Sequence, residues 1–538
     1  MTKPRTQTSV FDAFEATAIA HPARAFLNVL PATAAIFDIP EGEITYGATL
    51  SDVSDMAQAF EKAGYAAGMR VALLLENRPT FFIIWLALNK IGASVVPINP
   101  DLRATELEYL IGHSEPALIV AIPSRHADLI AAAKAAGITL DVVAPGAALP
   151  APRSNAIVAR AFDGDAREAA ILYTSGTTGK PKGCVLANAY FLLAGRWYAD
   201  LGGIATLRDE GERMITPLPI FHMNAMAYSF MAMVTVGGCL TVLDRFHPRS
   251  WWADVKASGA TCLHYLGVVP TMLMGFEPSG ADRDHAVRFG FGAGVDPKLQ
   301  AEFEARFGFP LVEAWAMTET GAGAVIASAK EDRLVGQASI GKPDADVECR
   351  LIDDAGNDAR QGELLVRRAG ADPRYGFFSE YYKNQQATDE AWADGWFHTG
   401  DIVRKDAAGT YSFVDRKKNV IRRSGENIAA VEVESILMRH PRVTAVGVAP
   451  VPDPIRGDEV FACMTVDNPS PELALEITEW CLAQMAYYKA PGYIAFVDGL
   501  PLTPTQKIQR TVLKDLAGRL TTDPQTVVTA HLKKRQAN

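Results

Sequence analysis

Between Thr45 and about Val142, short apolar runs alternate with helix-length stretches, and this alternation limits the fold more than any other feature of the chain. Leu50–Ala63 reads as an amphipathic helix, Arg70–Leu75 as a strand, Phe81–Ile91 (FFIIWLALNKI) as a helix, and Ala93–Ile98 and Ala117–Ile122 as further strands. Strands separated by helices of this length imply a parallel, doubly wound sheet. A second such run begins at Met214, and strand, helix, strand returns over Thr261–Ile326. The chain has 538 residues, whereas single domains centre near ~100–150, so two or more domains are expected. A β-rich stretch, Asp346–Arg368, reads as a small barrel. The C-terminal part alternates strand and helix (Val443–Val448, Glu459–Val466, Leu473–Met485) and fits a compact α+β domain. The expected fold is therefore α/β: a large N-terminal domain of doubly wound sheets plus a small β-barrel, hinged to a small α+β C-terminal domain.

The stretch Ile171–Gly183, ILYTSGTTGKPKG, reads as a buried strand running into a loop of hydroxyls and glycines that carries Lys180 and Lys182. Glycine lets backbone N–H groups approach an anion, Ser and Thr add donors, and lysine supplies charge, so Thr174, Ser175, Gly176, Thr177, Thr178, Gly179, Lys180 and Lys182 are candidate phosphate ligands. It is not a Walker loop. Only two residues separate Gly176 from Gly179, and Pro181 stands where that motif needs a Ser or Thr.

The net charge of −10 argues against a general binder of nucleic acid or anionic membrane. Six cysteines without paired spacing suggest neither a zinc site nor a disulfide framework, and a reducing cytoplasm fits them. The N-terminal residues lack a long apolar run of the signal-peptide kind. Ala225–Leu243 is uncharged, but Gly237-Gly238 divides it, which predicts a core helix, a turn and a strand rather than an integral membrane segment.

Further motifs follow in order. In TPLPIFHMNAM, Pro217 and Pro219 delay the helix and deliver His222 and Asn224 to its start. GFGAGVDP (Gly290–Pro297) is a glycine-rich strand end against which a planar base can lie. EAWAMTET (Glu313–Thr320) joins an aromatic strand to a Thr/Glu turn, and DGWFHTGD ends on Asp401. VDRKKNVIRRSGENIAAVEVE (Val414–Glu434) is strongly basic and leads into an amphipathic helix at Val431–His440, which suggests a domain junction. LPLTPTQKIQRTVLK (Leu500–Lys514) carries a lysine between Gln506 and Ile508.

Together these motifs resemble the adenylate-forming superfamily, from about Thr45 to Lys514, and look most like its acyl- and aryl-CoA synthetases of the carnitine/crotonobetaine-CoA ligase branch. The resemblance implies an ATP- and Mg²⁺-dependent acid:CoA ligase that makes acyl-AMP and pyrophosphate and then a thioester. An enzyme that delivers the acyl group to a carrier protein or other acceptor is the alternative, and a phosphate-binding regulatory NTPase is a more distant one. By the resemblance Lys507, Thr318, Glu319 and His222 are catalytic, with Glu319 holding Mg²⁺. Gly292, Ala293, Trp315, Asp401 and Arg416 join the phosphate loop in binding ATP or AMP. Lys418 is the hinge between residues 1–417 and 418–538, and Ser424, Gly425 and Glu426 lie along the CoA arm. His222, Tyr228, Phe291 and Ala316 line the acyl pocket. FHMNA lacks the aspartate that amino-acid-activating relatives carry there, which disfavours an amino-acid substrate. Trp315, Ala316 and Gln506 depart from the tyrosine, glycine and glycine common at those places. The partners implied are a small carboxylic acid, ATP and CoA, with a homodimer as one option for assembly.

Overall fold

The computed structural model describes residues 7–153, 164–174, 180–330, 333–353, 355–416, 420–501 and 508–535. The described residues form three sheets. The first takes the order Glu380–Tyr381, Lys182–Ala187, Glu168–Thr174, Ser94–Pro97, Arg70–Leu74, Leu118–Ala121, Asp141–Val143. From Glu168–Thr174 onward its neighbours run parallel. The two strands at the other edge are antiparallel, because Thr174 pairs with Lys182 across the glycine-rich loop and the chain turns straight back.

Alternation decides which side each residue serves. In Arg70–Leu74, Val71 and Leu73 join one core cluster while Ala72 and Leu74 join another, under the helices Ala104–Ser114 and His126–Ala135. A strand covered on both faces is nearly all apolar, which is why these runs were readable; Arg70, the exception here, pairs with Glu168 at 2.8 Å. Pro79 opens the helix Pro79–Lys90 at a position where no N–H is needed. Thr45 caps Tyr46–Ala63, and Gly64 (φ 98°) ends it in the left-handed conformation.

The second sheet repeats this logic. Met214, Cys262, Phe289 and Val312 point to the shared core, whereas Ile215, Leu263, Tyr265 and Leu311 pack under the helices Trp251–Ser258 and Pro297–Phe307. Between the two sheets lies a common helical layer, in which Phe82 stacks on Phe230 at 4.7 Å and Trp85 meets Phe191 at 5.0 Å. The Gly237-Gly238 break behaves as expected, dividing the helix Phe230–Val236 from the strand Cys239–Val242, with Gly237 at φ 64°. No helix among the described residues is long and apolar enough to cross a membrane.

The expected small barrel is corrected. Val347–Ile352, Gln361–Arg368, Phe397–Lys405 and Tyr411–Arg416 form an antiparallel meander that continues the second sheet and ends on an edge strand. Closure would need a free edge on Ser339–Pro343, but that strand pairs with Tyr411–Arg416 on one side and Ile326–Ala327 on the other.

The third sheet is built around Gly457–Val466, which pairs with Val443–Asp453, Tyr493–Phe496 and, at Gly457, with Arg423. The helices Ala430–Leu437 and Pro471–Gln484 cover one face, and Arg510–Leu520 covers the other. This α+β unit touches the rest of the chain through Lys489 on Glu106 (2.7 Å), Asn99 on Tyr488 (3.0 Å) and Arg535 on Asp101 (2.9 Å).

Candidate active site

Ligand sites of α/β sheets lie beyond the carboxyl ends of the strands. Here the ends of Ser94–Pro97, Glu168–Thr174, Cys262–Leu266 and Leu311–Trp315 all deliver residues to one cavity of about 410 Å³, through Pro97, Thr174, Leu266 and Ala316. The segment around Glu363, Tyr381 and Phe397–Asp401 supplies a further wall, and the α+β unit another with Gly425, Glu426, Asn427, Tyr488 and Lys489.

Of the residues singled out from sequence, Thr174, Lys182, His222, Ala316, Thr318, Glu319, Asp401, Gly425 and Glu426 line this cavity. The phosphate-loop residues Ser175, Gly176, Thr177, Thr178 and Gly179, with Lys418 and Lys507, lie outside the described residues, as does the Arg416 side chain. Thr174 and Lys182 therefore mark the two ends of the loop. Thr174 Oγ1 lies 3.5 Å from Glu319 Oε1, and the Lys182 ammonium sits 4.0 Å above the Tyr381 ring. Glu319, 7% exposed, also accepts the Tyr381 hydroxyl at 2.9 Å. Beside that carboxylate, burial and Glu319 push the Tyr381 hydroxyl far above its ordinary value, so it stays a donor.

Trp315 ends its strand buried, and its indole N–H donates to Asp401 Oδ2 at 2.8 Å. It does not line the cavity, and neither do Gly292, Ala293, Tyr228, Phe291 or Ser424. Tyr228 and Phe291 are each 2% exposed and pack with Trp197, which puts them behind the cavity wall. Gly292 has no room for a side chain, since a Cβ would stand 2.2 Å from the Tyr265 carbonyl oxygen. Lys180 faces a second, neighbouring recess.

His222 follows the two prolines as expected, and the turn after it, Asn224–Ser229, is a π-helix, a widening that often accompanies functional sites. His222 Nε2 lies 3.2 Å from Glu426 Oε1. Burial works against the imidazolium, but the Glu426 charge and hydrogen bond outweigh it and raise the His222 pKa. Glu426 is lowered, because His222, with Lys489 and Arg535, overcomes its own burial. Asn224, also on the wall, is held by His264, whose Nδ1 lies 2.7 Å from Asn224 Oδ1. Burial drives the His264 pKa down to about 3, so that ring is a neutral brace.

Gly425 adopts φ 89°, and a Cβ there would fall 2.4 Å from Leu266 Cδ1. Only glycine adopts this φ readily and lets the hairpin turn lie so close to the wall. Sequence reasoning missed Tyr381, Glu363 and Lys489. Glu363 accepts the Gly400 N–H at 3.1 Å and so fixes the irregular part of the strand Phe397–Lys405 that presents Asp401.

The model of AMP-binding enzymes matches residues 23–381, and that of the AMP-binding enzyme C-terminal domain matches 432–507. The chain belongs to the AMP-binding enzyme family. A crotonobetaine/carnitine–CoA ligase of Salmonella typhimurium, a relative within that family, is 30% identical over 503 residues, covering 90% of this chain and 96% of the relative. The fold matches that of an o-succinylbenzoate CoA synthetase from Bacillus subtilis with a TM-score of 0.79 at 23% identity, covering 94% of this chain and 98% of the other. A Mycobacterium tuberculosis fatty acyl CoA synthetase matches with a TM-score of 0.65 at 25% identity, covering 95% and 99%.

Proposed function

We propose that the cavity is where this chain, an ATP-dependent carboxylic acid:CoA ligase, joins its acid to AMP and then passes the acyl group to the CoA thiol. The overall reaction consumes acid, ATP and CoA and yields acyl-CoA, AMP and pyrophosphate. The observation that carries this reading is the meeting, around one space, of the Thr174–Lys182 loop ends, the Thr318–Glu319 turn and the Gly425–Glu426 strand.

A carboxylate is a poor electrophile, so the acid must first be activated. Its oxygen attacks the α-phosphorus, and the bond to the β-phosphate breaks with its electrons leaving on pyrophosphate. Charge develops on the α-phosphate in that step. Lys182, Thr318 and, from the loop after Pro501, Lys507 are the donors we assign to it. Asp401, oriented by Trp315, would take the ribose hydroxyls with its other lone pairs. Glu319 and the Thr174 hydroxyl form a hard-oxygen pair suited to Mg²⁺, and among the described residues no cluster of three or more metal-ligating side chains exists. An ion there would complete its shell with phosphate oxygens and water, and would neutralise phosphate charge. After pyrophosphate leaves, the part 418–538 would turn about Lys418 relative to 1–417, with Gly425 beside the pantetheine arm.

The part of the wall formed by Leu218, Phe221, Met223, Leu266, Ala316 and Met317 is mainly apolar. This supports an acid with an apolar acyl group. Glu426 is already engaged by His222, with the charges of Lys489 and Arg535 also acting on it, which weighs against a betaine. The unpaired cysteines support a cytoplasmic setting. The test is pyrophosphate release across a panel of carboxylic acids with and without CoA. Acid-dependent pyrophosphate release together with CoA consumption is expected, and release of ADP and phosphate would contradict the reading.

A further inference from the structure

A second recess of about 330 Å³ adjoins the main cavity, lined by Tyr109, His113, Lys180, Lys182, Tyr382 and Lys383 among others. Three of these are lysines, in a chain whose net charge is −10. Such a local reversal of sign draws in a polyanion that the overall field repels. Lys180 lies over the Tyr109 ring at 5.4 Å and Lys383 over the Tyr382 ring at 5.0 Å, so aromatic faces carry two of the ammonium groups. The wall is rigid. Tyr109 donates to the Pro181 carbonyl at 2.9 Å, His113 Nδ1 lies 2.7 Å from the Tyr173 hydroxyl, and Lys383 donates to the His113 carbonyl at 3.0 Å and pairs with Glu115. Burial, with Lys383 adding to it, lowers His113 to about 4, so at neutral pH the ring is an uncharged part of the wall.

Tyr109, Pro181 and Lys182 line both spaces. These three residues form a wall common to the recess and the phosphate end of the main cavity, and no residue of Gly425–Asn427 borders the recess. From this shared wall, with Lys182 on both sides of it, we infer that the recess is an exit site for inorganic pyrophosphate, which Lys182 passes outward to Lys180 and Lys383 once the α–β phosphate bond has broken. The inference rests on the ligase reading above. The shared chemistry is a phosphate polyanion, and the other source would be the 3′,5′-bisphosphate end of CoA.

The experiment measures product inhibition by inorganic pyrophosphate, and the pyrophosphate KM in ATP–pyrophosphate exchange, for the full chain and for Lys383→Ala, Lys383→Gln and Glu115→Gln. Loss of one charge-assisted contact should raise the pyrophosphate inhibition constant and KM about tenfold in both Lys383 variants. Removing the counter-ion in Glu115→Gln should lower them, a change of opposite sign that mere loosening of the wall would not produce. Inhibition by adenosine 3′,5′-bisphosphate should stay at the parent value, as should the melting temperature. Pyrophosphate constants unchanged in all three variants, or a shift confined to the bisphosphate, would overturn the exit site while leaving the ligase reading intact. Absence of acid-dependent pyrophosphate release in the parent would overturn both.

Discussion

His222 and Glu426 come from parts of the chain 204 residues apart and meet at 3.2 Å on the cavity wall. The raised His222 pKa means that its share of the stabilisation is full below about pH 6.5 and fades as pH rises through the elevated value. The lowered Glu426 pKa means that its share is full above about pH 4.3 and fades as pH falls through the depressed value. The pair should therefore hold best in the weakly acidic range. The melting difference between Glu426→Gln and the parent should be largest near pH 6 and narrow as pH rises through the elevated His222 value, with Lys489 and Arg535 sustaining a remainder, and a difference independent of pH would remove the pair as its cause. Trp315 supplies a second case. Trp315→Phe deletes the indole N–H that reaches buried Asp401 Oδ2, which should cost about 1–3 kcal/mol of stability and raise the KM for ATP; chemical denaturation and kinetics measure both. At this scale the sequence was readable where a residue's role is local, as with the prolines before His222. It was not readable where burial decides: Tyr228 and Phe291 are apolar or amphipathic residues in the right segments, yet only packing puts them behind the wall.

The first turn of the helix Ala104–Ser114 carries Glu106, whose Oε2 accepts the Arg103 N–H at 3.0 Å and also the Ala486 N–H at 2.8 Å. Its Oε1 holds Lys489, which also reaches Glu432 at 2.7 Å. One carboxylate thus caps its own helix and docks the α+β unit. Glu106→Gln leaves Lys489 its partner Glu432, so the protein should still fold while this docked arrangement weakens. Thioester formation should slow by about tenfold or more while acid-dependent pyrophosphate release stays near the parent rate; separate assays of the two half-reactions check this, and equal slowing of both would reject the docking role. Elements buried on both faces, such as Arg70–Leu74, were plain in the sequence because every position after Arg70 is apolar. A charge inside an apolar run, Lys489 in MAYYKAPGYIAF, signals a buried partner, but Glu106 lies 383 residues away and nothing local points to it. The expected barrel failed for a related reason, since both edges of Ser339–Pro343 are taken by strands the local pattern could not rank.

The whole molecule places the carboxyl ends of two sheets and the edge of a third around one cavity. In the arrangement described, Gly425 lies against Leu266 on the wall, whereas Leu500 and Ile508, which flank the loop of Lys507, pack on Leu513 in the α+β core. The account's central claim is that one cavity serves two half-reactions in turn, with different residues of the α+β unit presented to each. Rapid-quench kinetics of the separate half-reactions, on Lys507→Ala and Gly425→Leu, test it most directly. Lys507→Ala should slow acyl-AMP formation by ~10²–10³ yet convert preformed acyl-AMP and CoA to thioester near the parent rate. Gly425→Leu should release pyrophosphate normally and fail at the thioester step, because its side chain has no space beside Leu266. Both substitutions slowing both steps alike would contradict the account.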